Sequence, residues 1–542
     1  AAFAALLSDQ PCPACHGDRL AEPMRSVRVG SYTLPALCRL TAAELVRVLA
    51  DGLATSARDR ELAAETLTEV RRRIARMVEL GLGHLQLDRV TSTLSSGERQ
   101  RLRLARQLAS PLTGCVYVLD EPTLGLHARD TDALLQAIRD LVDAGNAVVA
   151  VEHDMRVLAA ADHVLEIGPG AGRLGGELVA AAPPNQLPES SRTGQRLRMQ
   201  SPVAKSVPRA HSESVVAIRG AHLHCLQDLD VDLPIGCLTT VTGVSGSGKT
   251  SLIRGVLYAS AQSGRLQGCR ELTGLDAFTS VVEDGGARGR RSRTKCVATE
   301  LSVFDEIRKQ FAATPDARER GFKASHFAFL GKNGGACRPC GGLGWLRSEL
   351  DFLGADSWIV CEQCSGRRYD DATLSVQWQG MSIAGVLDAT IDELLSKASN
   401  PSLRKLSSPL LTAQELGLGY LRLGQSADSL SGGEAQRVSL AVHLSRTAPS
   451  KSSDATLFLL DEPTRGLHPD DIDLMLQAFQ RLLDAGHTIV AIEHDLTVIA
   501  FADHVIDLGP DAGTNGGQLV FAGTPHQLTQ CQNSATAKAL RE

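Results

Sequence analysis

Val118-Leu119-Asp120-Glu121-Pro122 returns later in the chain as Leu459-Leu460-Asp461-Glu462-Pro463. Each is an apolar run that ends in two acids and a proline. Upstream of each acid pair stands a second element, Leu94-Ser95-Ser96-Gly97-Glu98 in the first copy and Leu430-Ser431-Gly432-Gly433-Glu434 in the second. Downstream come Val151-Glu152-His153-Asp154 and Ile492-Glu493-His494-Asp495, then Ala161-Asp162-His163-Val164 and Ala502-Asp503-His504-Val505. From Asp120 to Asp461, His153 to His494 and Asp162 to Asp503 the interval is always 341 residues. Short apolar runs alternate with amphipathic helices in both copies, which predicts a duplicated α/β lobe with crossover connections.

The chemistry of the repeat is that of a nucleoside triphosphate. Gly243-Val244-Ser245-Gly246-Ser247-Gly248-Lys249-Thr250 fits GxxxxGK[ST] and lies between an apolar strand and the helix predicted over Ser251–Tyr258. That context separates a phosphate loop from an ordinary glycine-rich turn, because curled backbone N–H groups and a helix start both favour phosphate. Lys249 would reach the β- and γ-phosphates, and the Thr250 hydroxyl would ligate Mg²⁺. Asp461 ends a strand where it can hold Mg²⁺ through water. Glu462 would orient the attacking water, and His494 would contact the γ-phosphate. Ser431, Gly432 and Gly433 open a helix whose amides can bind a γ-phosphate, although Ser431 with Glu434 three residues on also describes a simple capping box. Only the second copy carries a phosphate loop.

The bulk properties set limits. In 542 residues, 43% hydrophobic and 22% charged, there is ample core for two or more domains. No apolar run reaches the roughly 20 residues that span a bilayer, and a net charge of −6 excludes a uniformly basic nucleic-acid coat. The chain opens Ala1-Ala2-Phe3-Ala4 without a secretory pattern, so further sequence upstream and a cytoplasmic location are expected. Residues 1–182 read as the later part of a first lobe, with helical character over 41–110. Residues 183–214, rich in Pro, Ser, Arg and Gln, read as a linker, and 215–542 as a complete second lobe with an insertion near 320–370. Of 13 cysteines, Cys337, Cys340, Cys361 and Cys364 form two CxxC knuckles with the spacing of a four-thiolate Zn²⁺ site. Cys12 and Cys15 are a third knuckle, either half of another zinc site or two incidental cysteines.

Signature and strand together resemble the ATP-binding-cassette ATPases, in a tandem P-loop α/β fold with helical signature subdomains. The zinc module between phosphate loop and signature narrows this to a resemblance to the UvrA family, the damage-recognition ATPases of nucleotide excision repair. It is carried by Thr242–Lys249, Val303-Phe304-Asp305-Glu306-Ile307-Arg308, Cys364-Ser365-Gly366-Arg367-Arg368-Tyr369, Asp120–His127 and Gly168–Gly172 with Gly175-Gly176. The family implies ATP, Mg²⁺ and Zn²⁺ as cofactors, double-stranded DNA as partner, a homodimer and no membrane. Its binding region for the next, UvrB-like subunit lies upstream of the matched part. The second phosphate loop would work with Ser95, Gly97 and Glu98. A second composite site would use Asp120, Glu121, His153 and Ser431–Gly433.

Three departures stand out: Ser96 replaces a signature glycine, no Gln occurs from residue 268 to 309, and the family's arginine loop is rewritten as Ala287–Lys295. In that loop Arg290, Arg291 and Arg293 are candidates for phosphate contacts to DNA, or form a solvated run. These departures suggest a divergent member. The alternatives are an ATPase of drug self-resistance or transport, a translation-associated cassette protein, and a DNA-binding scaffold with impaired ATPase.

Overall fold

The computed structural model describes residues 12–51, 53, 57–94, 96–109, 112–123, 125–170, 172, 175–199, 209, 214–284, 294–330, 334–347, 358–397, 404–446 and 455–541. The first half supplies strands β1 (Val116–Asp120), β2 (Ala147–Val151), β3 (Val164–Gly168) and β4 (Glu177–Ala182). The second supplies β5 (Val215–Ala221), β6 (Leu229–Pro234), β7 (Leu238–Gly243), β8 (Glu271–Thr273) and β9 (Ser280–Asp284). It continues with β10 (Trp345–Arg347), β11 (Trp358–Val360), β12 (Thr456–Asp461), β13 (Thr488–Ile492), β14 (His504–Gly509) and β15 (Gln518–Gly523).

In the second half the order β9-β12-β13-β7-β14-β15 makes one six-stranded sheet, parallel except for β15. Every residue of β7 and β13 is buried, as expected of parallel strands covered on both faces. The alternation of side chains along β12 shows how the layers form. Leu457 and Leu459 pack with Ile253, Val256 and Leu257 on one face, while Phe458 and Leu460 pack with Phe479 and Leu482 on the other. An antiparallel sheet, β8-β5-β6, completes this lobe.

The first half repeats the plan with a gap. β1 and β2 pair in parallel, and β3 and β4 pair antiparallel, as the counterparts of β12–β15. Among the described residues no strand stands between β2 and β3, where β7 stands in the second lobe. The physical result is an open apolar face. Val118 and Ile167 are 69% and 71% exposed, whereas their counterparts Leu459 and Leu508 are each 1% exposed.

The stretch expected as helical over 41–110 resolves into Ala42–Ala50, Ala57–Met77 and Ser96–Leu108, separated by turns. The stretch expected as a linker contains a helix, Arg192–Arg198, whose cap Ser191 accepts from the Gly194 N–H at 2.8 Å. Its hold on the second lobe is ionic: Arg196 bridges Asp470 at 2.8 Å and also pairs with Asp473. On the first lobe it contributes one apolar contact, Leu197 against Val164 and Leu187; so short a helix with one such contact leaves no apolar periodicity, which is why composition alone reads it as a tether. No helix among the described residues is long and apolar enough to cross a membrane.

Candidate functional site

β7 delivers the loop Gly243–Thr250 from the centre of the six-stranded sheet. Gly243 has φ +128°, and a Cβ there would lie 2.0 Å from the Leu508 carbonyl oxygen. Only glycine fits so close a backbone approach. The Lys249 ammonium is buried and donates to the carbonyls of Gly243 and Val244 at 2.8 and 2.9 Å. Burial pushes its pKa down to about 8. Thr250 closes the loop and Ser251 starts the helix Ser251–Tyr258.

The neighbouring strand ends bring the acids alongside. Asp461 ends β12 and Glu462 follows it in the left-handed region, φ +51°; Glu121 repeats this at φ +44° in the first copy. A non-glycine residue held there carries a cost of about 1–3 kcal/mol, and such strain concentrates at functional sites. Burial and the neighbouring Asp461 push the Glu462 carboxyl upward. His494, after β13, lies 4.0 Å from Glu462 through Nε2. Burial first, then Lys249, holds it well below the usual imidazole range, so it is neutral at neutral pH.

Two groups that the sequence reading passed over shape this wall. The Glu493 carboxylate accepts from the Thr464 N–H and hydroxyl and from the His494 and Asp495 N–H groups at 2.7–3.4 Å. It thereby ties the loop after Glu462 to the histidine. Glu152 makes the same four bonds in the first copy, to Thr123, His153 and Asp154. Arg254, on the helix after the loop, donates through Nε to Glu283 at the end of β9 and approaches Asp461 at 3.3 Å through Nη1.

The first half supplies the opposite wall. Glu98 of the signature helix is buried and bonded to His84 Nε2 at 3.0 Å. Arg101, one turn on, is 2% exposed and donates to the Leu80 carbonyl at 3.1 Å. Its charge favours the ionised form of Glu462 across the seam. The Ser245 hydroxyl donates to the Gly125 carbonyl at 3.1 Å. A cleft of 1990 Å³ is thus lined jointly by Glu98, Arg101 and Gly125 and by Lys249, Thr250, Asp461, Glu462 and His494. Gly432 also reaches it. Gly97 lies in the helix Ser96–Leu108, while Ser95 falls outside the described residues. The repeat held the signal for Arg101: Glu98-Arg99-Gln100-Arg101 matches Glu434-Ala435-Gln436-Arg437, and Arg437 donates to Leu416 at 3.1 Å in the same way.

Of the second set the structure shows separate parts, without a glycine loop among the described residues. Ser431 and Glu434 form a reciprocal cap at 2.7 and 3.2 Å, and Gly432 and Gly433 open the helix behind it. The Glu121 carboxylate lies against Gly466, where a Cβ would meet Oε1 at 2.8 Å. Asp120 ends β1 and His153 follows β2. Farther away, the hairpin β10–β11 brings Cys337, Cys340, Cys361 and Cys364 together, all buried, with sulfurs within 4.8 Å of one another. The pairs Cys337–Cys361 and Cys340–Cys364 are 3.9 and 3.8 Å apart. A ZnS₄ tetrahedron with bonds of about 2.3 Å has edges of about 3.8 Å, so the donor set fits the ion. Cys12 and Cys15 stand on one turn, Cys12 exposed, and no described group joins them in a metal cluster. Arg290, Arg291 and Arg293 lie outside the described residues.

No protein-family model matches the chain. It is 42% identical to the UvrABC system protein A of Methanothermobacter thermautotrophicus over 549 residues, covering 99% of this chain and 56% of that protein. It is 43% identical to the UvrABC system protein A of Micrococcus luteus, covering 100% of this chain and 54% of that one. The structure is similar to that of UvrA2 from Deinococcus radiodurans, with a TM-score of 0.89 and 42% identity over 98% of this chain and 66% of that chain. The chain therefore spans a little over half the length of these curated relatives. Across that span, in both sequence and tandem-cassette fold, it belongs to the UvrA family.

Proposed function

We propose that this chain hydrolyses ATP at the cleft between its halves and couples that cycle to the inspection of duplex DNA for damage, in nucleotide excision repair. The observation that carries the reading is the shared cleft: phosphate loop, acid pair and histidine from the second lobe meet the signature helix of the first. When bound, Mg²⁺ would neutralise charge on the β- and γ-phosphates, with Thr250 and Asp461 as its protein-side holders. Glu462, set apart by its backbone conformation, orients water, while His494, held neutral, bonds the γ-phosphate. Residues 1–182 and 215–542 act as the two ATPase halves. Asp120, Glu121, His153 and Ser431–Gly433 form the second site's share. Zn²⁺ at the four cysteines fixes the module between loop and signature.

Glu462→Gln should keep nucleotide and lose most turnover, at least about 10²-fold, while Lys249→Ala should weaken both. Unchanged turnover in Glu462→Gln would reject the assignment of that carboxylate and favour the scaffold alternative if wild type is equally slow. On the DNA side, neutralising Arg290, Arg291 and Arg293 together should weaken binding to damaged and undamaged duplex alike and flatten its salt dependence. An unaltered salt slope would place the phosphate contacts elsewhere. The family's homodimer and its next repair subunit belong to the same reading, and sedimentation with and without DNA tests the former.

A further inference from the structure

Asp461, the carboxylate read above as the magnesium holder, is already facing a cation of the chain itself. β9 and β12 run in parallel, with Glu283 opposite Leu459. Asp461 is two residues beyond Leu459, so Glu283 and Asp461 project to the same side of the sheet at its carboxyl end. Arg254 stands four residues after Thr250, on the helix that crosses this edge. Its guanidinium reaches both acids: Nε bonds Glu283, and Nη1 lies 3.3 Å from Asp461 Oδ2. All three side chains are at most 24% exposed. The trio borders the cleft through Arg254 and Asp461, beside Thr250.

A guanidinium and a divalent ion compete for one carboxylate, since both are attracted to it and repel each other at short range. A planar, permanently charged fork cannot discharge itself by losing a proton. It can only move. Glu283 offers the place to go, because it already holds the Nε edge of the fork. We propose that Arg254 and Glu283 are a positioning pair for the metal step: Arg254 neutralises Asp461 before the nucleotide arrives, and Glu283 draws the guanidinium aside when the nucleotide's divalent ion takes its place. Glu283 thus acts through Arg254 and does not itself bind the ion. Neither residue belongs to the nucleotide motifs, and the pair sits next to the stretch that lacks the family's Gln.

The proposal rests on the reading of Asp461 as metal holder, and its test separates the two. Mn²⁺ replaces Mg²⁺, and its affinity for the full chain loaded with a non-hydrolysable ATP analogue is read by electron paramagnetic resonance. Arg254→Met, which keeps the stem, should tighten Mn²⁺ by about tenfold, whereas Glu283→Gln should loosen it by a similar factor. In the Arg254→Met background, Glu283→Gln should have no further effect. If Glu283→Gln loosens Mn²⁺ equally in both backgrounds, Glu283 is a metal ligand and the proposal is wrong. If neither single variant alters Mn²⁺ affinity while melting temperatures hold, the pair is only a structural ion pair, and the proposal is again wrong. Asp461→Asn tests the foundation alone: unchanged Mn²⁺ affinity there overturns the site reading. Glu283→Asp, which retains the charge, should stay near wild type and guards against a folding defect in the Gln variant.

Discussion

At the scale of single residues, the buried acids divide into those that touch the nucleotide's place and those that hold the loops around it. Glu493 is of the second kind. Four donors converge on its two oxygens, and the same knot recurs at Glu152. Removing the acceptor leaves buried donors unsatisfied, each at a cost of about 1–3 kcal/mol. Glu493→Ala should therefore lower the melting temperature of the second lobe and uncouple His494 from the turn after Glu462. Turnover should fall more than nucleotide affinity, and a variant with full turnover would show that the knot is dispensable. Lys249, Asp461 and His494 were legible because each sits in a short local pattern. Arg254 and Glu283 were not: 29 residues separate them, and they meet only because the helix after the phosphate loop lies over the strand end where the register of β9 against β12 sets Glu283 beside Asp461.

At the scale of elements, the strands were the most readable parts. β13 falls where the apolar run between turn signals places it, because a strand buried on both faces must be apolar throughout; β2 repeats that apolar run although most of its residues are exposed. The helix Arg192–Arg198 was not readable, since it is short and is held by a cap, by Glu166 and a single leucine contact on the first lobe, and by acids on a distant helix. The zinc module lies between these cases. Its ligands follow from spacing, while the pairing of β10 with β11 that brings the knuckles together follows from neither knuckle alone. Among the described residues of this small two-stranded element, the core is Leu346 packed on the cysteines. Metal binding is then much of its folding energy. Purified protein should contain near-stoichiometric zinc, and Cys361→Ser should lose it together with protection of the hairpin from proteolysis. An iron–sulfur absorption band would reject the assignment.

At the scale of the whole molecule, the described residues of the two halves differ in what they bury. The first lobe's sheet leaves its face open around Val118 and Ile167, whereas the second is closed by β7 and the helix behind it. The seam between them is polar and specific: Ser245 on Gly125, Glu121 against Gly466, and His127 bonded to Thr536 at 3.0 Å. The repeat predicted two lobes of one kind. It did not predict the seam, because a contact between copies leaves no trace in the interval between them.

The ion pairs from Arg196 to Asp470 and Asp473 shorten the path between the lobes. The helix that carries Arg196 is itself seated on the first lobe, where Ser191 and the Arg192 N–H bond Glu166 and Leu197 packs with Val164, so these pairs clasp one lobe to the other. Partners on one short tether meet at an effective concentration in the millimolar range, which does not change when the solution is diluted. Turnover per molecule should therefore stay constant on dilution far below any dimer dissociation constant, as a stopped assay across a dilution series would show. Arg196→Ala should remove this clasp and slow reclosure of the cleft without changing what lines it. A specific activity that collapses on dilution would mean that the working cleft forms between two chains.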